Sequence, residues 1–154
     1  HRTDRQTVHG MNTPATIKVY EGSDVTTVAR ITLPNGVTLD RDDVAADPSI
    51  KLYVYDVTDG SSTLTASYDQ AGTGSLATDA TLAKATAITT TNQTLTTDGW
   101  WTVDSTGYNF KHSLTGAALA DGGKKYQLEY HITTSSYGTV YVLTKVETQN
   151  LMGS

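Results

Sequence analysis

The chain has 154 residues, enough for one domain with a core that needs no covalent staples. It contains no cysteine, its net charge is −5, its pI lies near 5.1, and no basic run interrupts it. These values exclude disulfides and thiolate metal sites, and they count against a surface for nucleic-acid backbones. No apolar run approaches membrane-spanning length. Tyr outnumbers Phe nine to one and Thr is abundant, a composition suited to pleated, half-buried surfaces.

Residues 1–14 are polar without periodicity and read as an N-terminal arm. His1 is not an initiator, and Met11 is a candidate native start that the sequence leaves open. Residues 15–20 alternate, with Ile17 and Val19 on one side and Lys18 and Tyr20 on the other. The turn Glu21-Gly22-Ser23-Asp24 leads into residues 25–33. There Val25, Thr27, Ala29, Ile31 and Leu33 are expected inward, and Thr26, Val28, Arg30 and Thr32 outward, as in a half-buried sheet. Pro34-Asn35-Gly36 marks a turn. Asp40 is placed to cap a single helical turn. Residues 50–57 are the most strand-like run of the first half, with Ile50, Leu52 and Val54 set against Lys51, Tyr53 and Tyr55. Asp59-Gly60-Ser61-Ser62 then closes a hairpin into residues 63–68.

Residues 69–99 form a long Ala/Thr-rich excursion, expected to hold short strands at 86–91 and 94–97. Trp100-Trp101 opens a short aromatic strand. The last third reads GYNFKHSL, TGAALADGG, KKYQLEYHITT, SSYG and TVYVLTKV, which predicts three strands, a corner and a hairpin. Tyr126, Leu128, Tyr130 and Ile132 share one face, and Gln127, Glu129, His131 and Thr133 the other. The corner, with its helical turn at Ala117-Ala118-Leu119, has the pattern that joins strands E and F of immunoglobulin-like sandwiches, and Tyr126 is a candidate tyrosine corner. The expected fold is therefore all-β, an Ig-like Greek-key sandwich of two antiparallel sheets with an N-terminal arm. Residues 15–148 form the single domain and 149–154 a C-terminal tail.

Asp40, Asp42, Asp43 and Asp47 form the only acidic cluster. Helix capping and a solvated surface explain it; calcium is the weaker alternative, because EF-hand spacing is missing. The four histidines are scattered, and only His112 and His131 are expected to face each other across neighbouring strands. No nucleophile elbow, phosphate loop or zinc-protease motif occurs, so no catalytic residues and no cofactor are assigned. Trp100 and Trp101 are the leading recognition candidates, one expected in the core and one nearer solvent. Tyr53, Tyr55 and Tyr137 suit a protein interface equally well. A sugar-stacking role for an exposed Trp is the competing view. Asn92-Gln93-Thr94 matches a glycosylation sequon that chance explains.

The segments IKLYVYDVTDG and GYNFKHSLTGAALADGGKKYQLEYHITT…TVYVLTKVET resemble the small Ig-like β-sandwich structural proteins of tailed-phage virions. These act as head decoration or cement proteins, or as neck, tail and baseplate adaptors. The likeness covers about residues 50–68 and 108–148. It implies a non-enzymatic virion protein that clamps neighbouring subunits with its arm and loop tips. The implied partners are the major capsid protein or tail and neck subunits, in a multi-copy or homo-oligomeric assembly, with no nucleic acid and no membrane. A bacterial surface Ig-like domain and a carbohydrate-binding sandwich are the alternatives.

Overall fold

The computed structural model describes residues 16–152, an all-β chain. The arm expected over residues 1–14 lies outside the described residues. The strands are β1 (Thr16–Tyr20), β2 (Val25–Ala29), β3 (Ile50–Asp56), β4 (Thr63–Asp69), β5 (Ala77–Thr78), β6 (Phe110–Leu114), β7 (Lys125–Thr133) and β8 (Thr139–Gln149). A large sheet runs in the order β1-β8-β7-β3-β4-β5, and β2 pairs with β6 in a small one. The small sheet is antiparallel as expected, but the large one is mixed. Its outermost pairs, β1 with β8 and β4 with β5, are parallel. β1 enters alongside β8, and the Gly22 turn then hands the chain to the other sheet.

Alternation explains the long strands. On β3, Ile50, Leu52 and Val54 are buried, and on β7 Tyr126, Leu128, Tyr130 and Ile132 are buried. They meet Val25, Ala29, Phe110 and Leu114 of the small sheet in one core cluster. Burying such aliphatic side chains stabilises the fold by roughly 1.5–3 kcal/mol each.

β2 departs from the half-buried pattern: all five of its residues are buried. Val28, expected outward, packs against Trp101 and Tyr108 in a second cluster. The stretch that follows the excursion supplies this cover, and the excursion itself lies beside it. Residues 86–91, expected to be a strand, instead begin in the helical turn α1 (Lys84–Ala87), whose first N–H donates to Asp47 Oδ1 at 3.0 Å. Beyond it Ile88 bridges Phe110 and Thr96 bridges Tyr108, so the segment runs beside β6 as broken strand. Trp100 and Trp101 lie in a turn rather than a strand, held by Trp100 N–H donating to the Asp98 carboxylate and Trp101 N–H to the Asp98 carbonyl.

Buried polar groups pin the loops. Asn109 is fully buried; its side chain accepts from Ile31 N–H at 2.7 Å and donates to the carbonyls of Ile31 and Leu39. Asp69 ends β4, and its carboxylate accepts from the N–H groups of Ala71, Gly72 and Thr73 and from the Thr73 hydroxyl. Burial raises its pKa, but these donors outweigh burial and hold it at about 2. Asp40 caps the 3-10 turn Arg41–Asp43 as expected, with Asp43 returning a bond to the Asp40 N–H.

The β6–β7 corner contains the expected helical turn, Gly116–Leu119. The tyrosine corner is not formed, because the Tyr126 hydroxyl has no hydrogen-bond partner among the described residues. The corner is held instead by Gly116 N–H donating to Asp24 Oδ1 at 2.7 Å and Gly22 N–H donating to the Leu119 carbonyl at 2.8 Å. A Cβ on Gly116 would overlap the Gly22 carbonyl oxygen. Gly116→Ala is therefore expected to destabilise the protein by about 1–3 kcal/mol in urea denaturation. An unchanged midpoint would contradict this close approach.

Candidate functional site

The outer face of the large sheet holds the most distinctive exposed surface. Alternation turns Tyr53 and Tyr55 of β3, Gln127, Glu129 and His131 of β7, and Tyr141, Leu143 and Lys145 of β8 outward. The register sets them in rows: Tyr53 beside Glu129 and Leu143, Lys51 beside His131 and Tyr141, and Tyr55 beside Gln127 and Lys145. The His131 ring centroid lies 4.8 Å from that of Tyr53, at 52°, and 4.9 Å from that of Tyr141, at 83°. Glu129 accepts from Gln127 Nε2 and lies 3.3 Å from His131 Nε2. Burial first, then the Glu129 carboxylate, raises the pKa of the Tyr55 hydroxyl above its ordinary 10. A bulge in β4 leaves Thr65 without a partner between Val54–Ala66 and Tyr55–Leu64, which turns Leu64 outward beside Tyr55. Tyr141 is 53% and Leu64 50% exposed, so this face is uncovered among the described residues.

The five expected interface residues separate into three places. Tyr53 and Tyr55 lie on this face. Tyr137 sits in the β7–β8 turn, where its hydroxyl accepts from Asn35 Nδ2 at 2.9 Å. Trp101 is buried and Trp100 half-buried, the division expected of the pair although no strand produces it. The Trp101 Nε1–H donates to Asp104, which also takes both guanidinium nitrogens of Arg30, and the guanidinium lies 5.2 Å over the Trp101 ring. Donation from Arg30 and Trp101 holds the Asp104 carboxyl well below the usual carboxylate range. Trp100 is covered by Lys111, whose Nζ lies 5.1 Å from its ring. His131 and Tyr141 were not among the expected site residues. Their outward positions are readable from alternation, but their adjacency to Tyr53 depends on register.

The acidic cluster does not converge. Asp40 and Asp43 cap the same 3-10 turn, Asp47 holds Lys84 N–H, and Asp42 is exposed. Among the described residues no three His, Cys, Asp or Glu side chains are grouped to hold a metal.

The expected pairing of His112 with His131 does not occur, because the two lie on different sheets. His112 faces the core. Its Nε2 is 2.9 Å from Asp79 Oδ2 and its Nδ1 is 2.8 Å from the Tyr130 hydroxyl. An ionised carboxylate only accepts, so Nε2 carries the proton and Nδ1 accepts from Tyr130. Separately, the Thr27 and Thr144 hydroxyls lie 3.1 Å apart between the two sheets. One donor relay thus runs from Tyr130 of β7 through His112 of β6 to Asp79 in the excursion. Its carboxylate–imidazole–hydroxyl order resembles a hydrolytic relay, but Tyr130 is completely buried and burial raises its pKa, so no substrate reaches that oxygen.

No protein-family model, curated protein or solved structure matches the chain. Among the described residues no helix is long and apolar enough to cross a membrane.

Two predictions follow the division between structural and surface side chains. Trp101→Ala is expected to cost about 3–5 kcal/mol in unfolding free energy. Tyr141→Ser should stay within about 0.5 kcal/mol of the parent; similar losses in both would refute the assignment. The second concerns pH. Burial, opposed in part by Asp79, lowers the His112 pKa below its ordinary 6.5. The unfolded chain then binds the proton more readily than the folded one, so this stability is complete above pH 6.5 and falls as pH drops through 6.5 toward the lowered pKa. Urea midpoints measured from pH 8 to 5 should decline in that window, and His112→Gln should flatten the decline.

Proposed function

We propose that the chain is an immunoglobulin-like Greek-key sandwich that works by binding rather than by turnover, with the outer face of the large sheet as its working surface. The strand order supports the fold reading: β6 and β7, consecutive in the chain, lie in opposite sheets across the Gly116–Leu119 corner. The single observation that carries the binding role is the aromatic row Tyr53, His131 and Tyr141, left open on a sheet face that would ordinarily be polar.

Within that role we assign the protein to the tailed-phage virion, as a capsid decoration or cement protein that clamps neighbouring subunits. The strand-and-corner resemblance supports this, as does a set of loops pinned by buried polar groups. A neck, tail or baseplate adaptor of the same class would use the same face. A sugar platform has less support, because Trp101 is buried, Trp100 lies under Lys111, and the Tyr53, His131 and Tyr141 rings are steeply tilted rather than coplanar.

Co-expression with the products of neighbouring genes, followed by affinity capture, tests the role. Wild type should retain a capsid or tail subunit, and Tyr53→Ser/Tyr141→Ser should lose it. Equal retention by both would move the contact off this face. Capture of no structural subunit by either would sink the virion assignment.

A further inference from the structure

The outer face is not uniform along its strands. Its middle is aromatic and aliphatic, with Tyr53, His131, Tyr141 and Leu143. Toward the other end of the same strands, the register brings Lys18 beside Glu147, Glu147 beside Lys125, and Lys145 beside Gln127. Lys18, Lys125 and Lys145 are all exposed. With Lys51, four of the seven lysines of the chain stand on this one face. The carboxylates there are few. Asp69 is buried and bound to Lys51, and Glu129 already serves Gln127 and His131, leaving Glu147 among three lysines. In a chain of net charge −5, this end of one face is a local excess of positive charge.

We propose, resting on the reading of this face as the working surface, that it docks an acidic protein segment. An apolar anchor of the partner would sit over Tyr53, His131 and Tyr141, and its carboxylates would lie over Lys18, Lys125 and Lys145. Charge complementarity argues for that occupant. The aromatic middle excludes water around the anchor, and the lysines form a charged flank that steers approach and fixes orientation. Tyr141 and Lys145 are four residues apart on β8, so the partner's acidic groups would lie about 13 Å from its anchor. A basic segment would meet like charge, and a neutral one would leave the lysines without partners.

The test is selection of binders from a displayed random-peptide library against the intact protein. The two counter-variants are Tyr53→Ser/Tyr141→Ser and Lys18→Ser/Lys125→Ser/Lys145→Ser, each checked for an unchanged melting temperature. The proposal expects enriched peptides that combine an apolar residue with several Asp or Glu. They should lose at least tenfold in affinity on either variant and weaken in raised salt, because the flank is solvent-exposed. Peptides that need Tyr53 and Tyr141 but carry no acidic residues would overturn the acidic partner while leaving the face as the working surface. Peptides that bind both variants like wild type, or no enrichment at all, would overturn both.

Discussion

The structure depends on burying both faces of a two-stranded sheet. A pair of strands alone is marginal in water. Here the inner face of β2 and β6 closes over the large sheet, while Val28 on the outer side is sealed by Trp101 and Tyr108. The seal comes from the stretch with the least regular structure, so it has to be tied down. Arg30 reaches out from the end of β2 to Asp104, which also holds the Trp101 indole. Asp98 takes the Tyr108 hydroxyl at 2.7 Å, and Arg41 donates to the Ile88 carbonyl and the Thr91 hydroxyl. The Ala/Thr-rich excursion is thereby a wall of the domain rather than an appendage. Losing its anchors would return β2–β6 to a one-sided pair.

A chain with one Phe and many Thr cannot build its interior from large aliphatics alone. Polar groups enter the core and must be paired, since an unpaired buried group costs about 1–3 kcal/mol. Aspartate does much of this pairing by accepting backbone N–H groups at turns: Asp24, Asp40, Asp47 and Asp69 each hold at least one. The interior hydroxyls of Thr27 and Thr144 pair with each other, and that of Tyr130 donates to His112, which donates to Asp79, so both sheets and the excursion meet there. Among the described residues only the Thr90 hydroxyl is buried without a partner. Packing density alone would tolerate many side-chain arrangements; a directional donor chain admits few, which favours one arrangement of the three parts.

What the sequence discloses follows from which signals are local. The period of two places the inner and outer faces of β3 and β7 correctly, and the Asp40 cap and the Gly116–Leu119 turn are also local patterns. β2 misleads because alternation assumes that one face meets water, and distant Trp101 removes that condition. The outward side of Leu64 depends on a single bulge at Thr65, which no local pattern discloses. The aspartates of residues 40–47 look like a metal cluster in one dimension, yet their acceptor oxygens serve nearby or remote backbone donors in three. Tyr53, Tyr55, His131 and Tyr141 become neighbours only when β3, β7 and β8 are put in register, over sequence separations that no local motif spans.

That register also separates spent from unspent chemistry. Asp40, Asp47, Asp79, Thr27, Thr144 and His112 are engaged within the fold, as acceptors at turns or links between the sheets. The tyrosines and lysines of the outer face have few such obligations. Tyr141 is half exposed, and no ion pair between Lys18, Lys125 or Lys145 and a carboxylate occurs among the described residues. Large rings grouped on an exposed face are uncommon in a monomer, and the interior groups, Thr90 apart, are satisfied without them among the described residues. Folding accounts for the inside of this fold; the aromatic row and the exposed lysines of its outer face take no part in that packing.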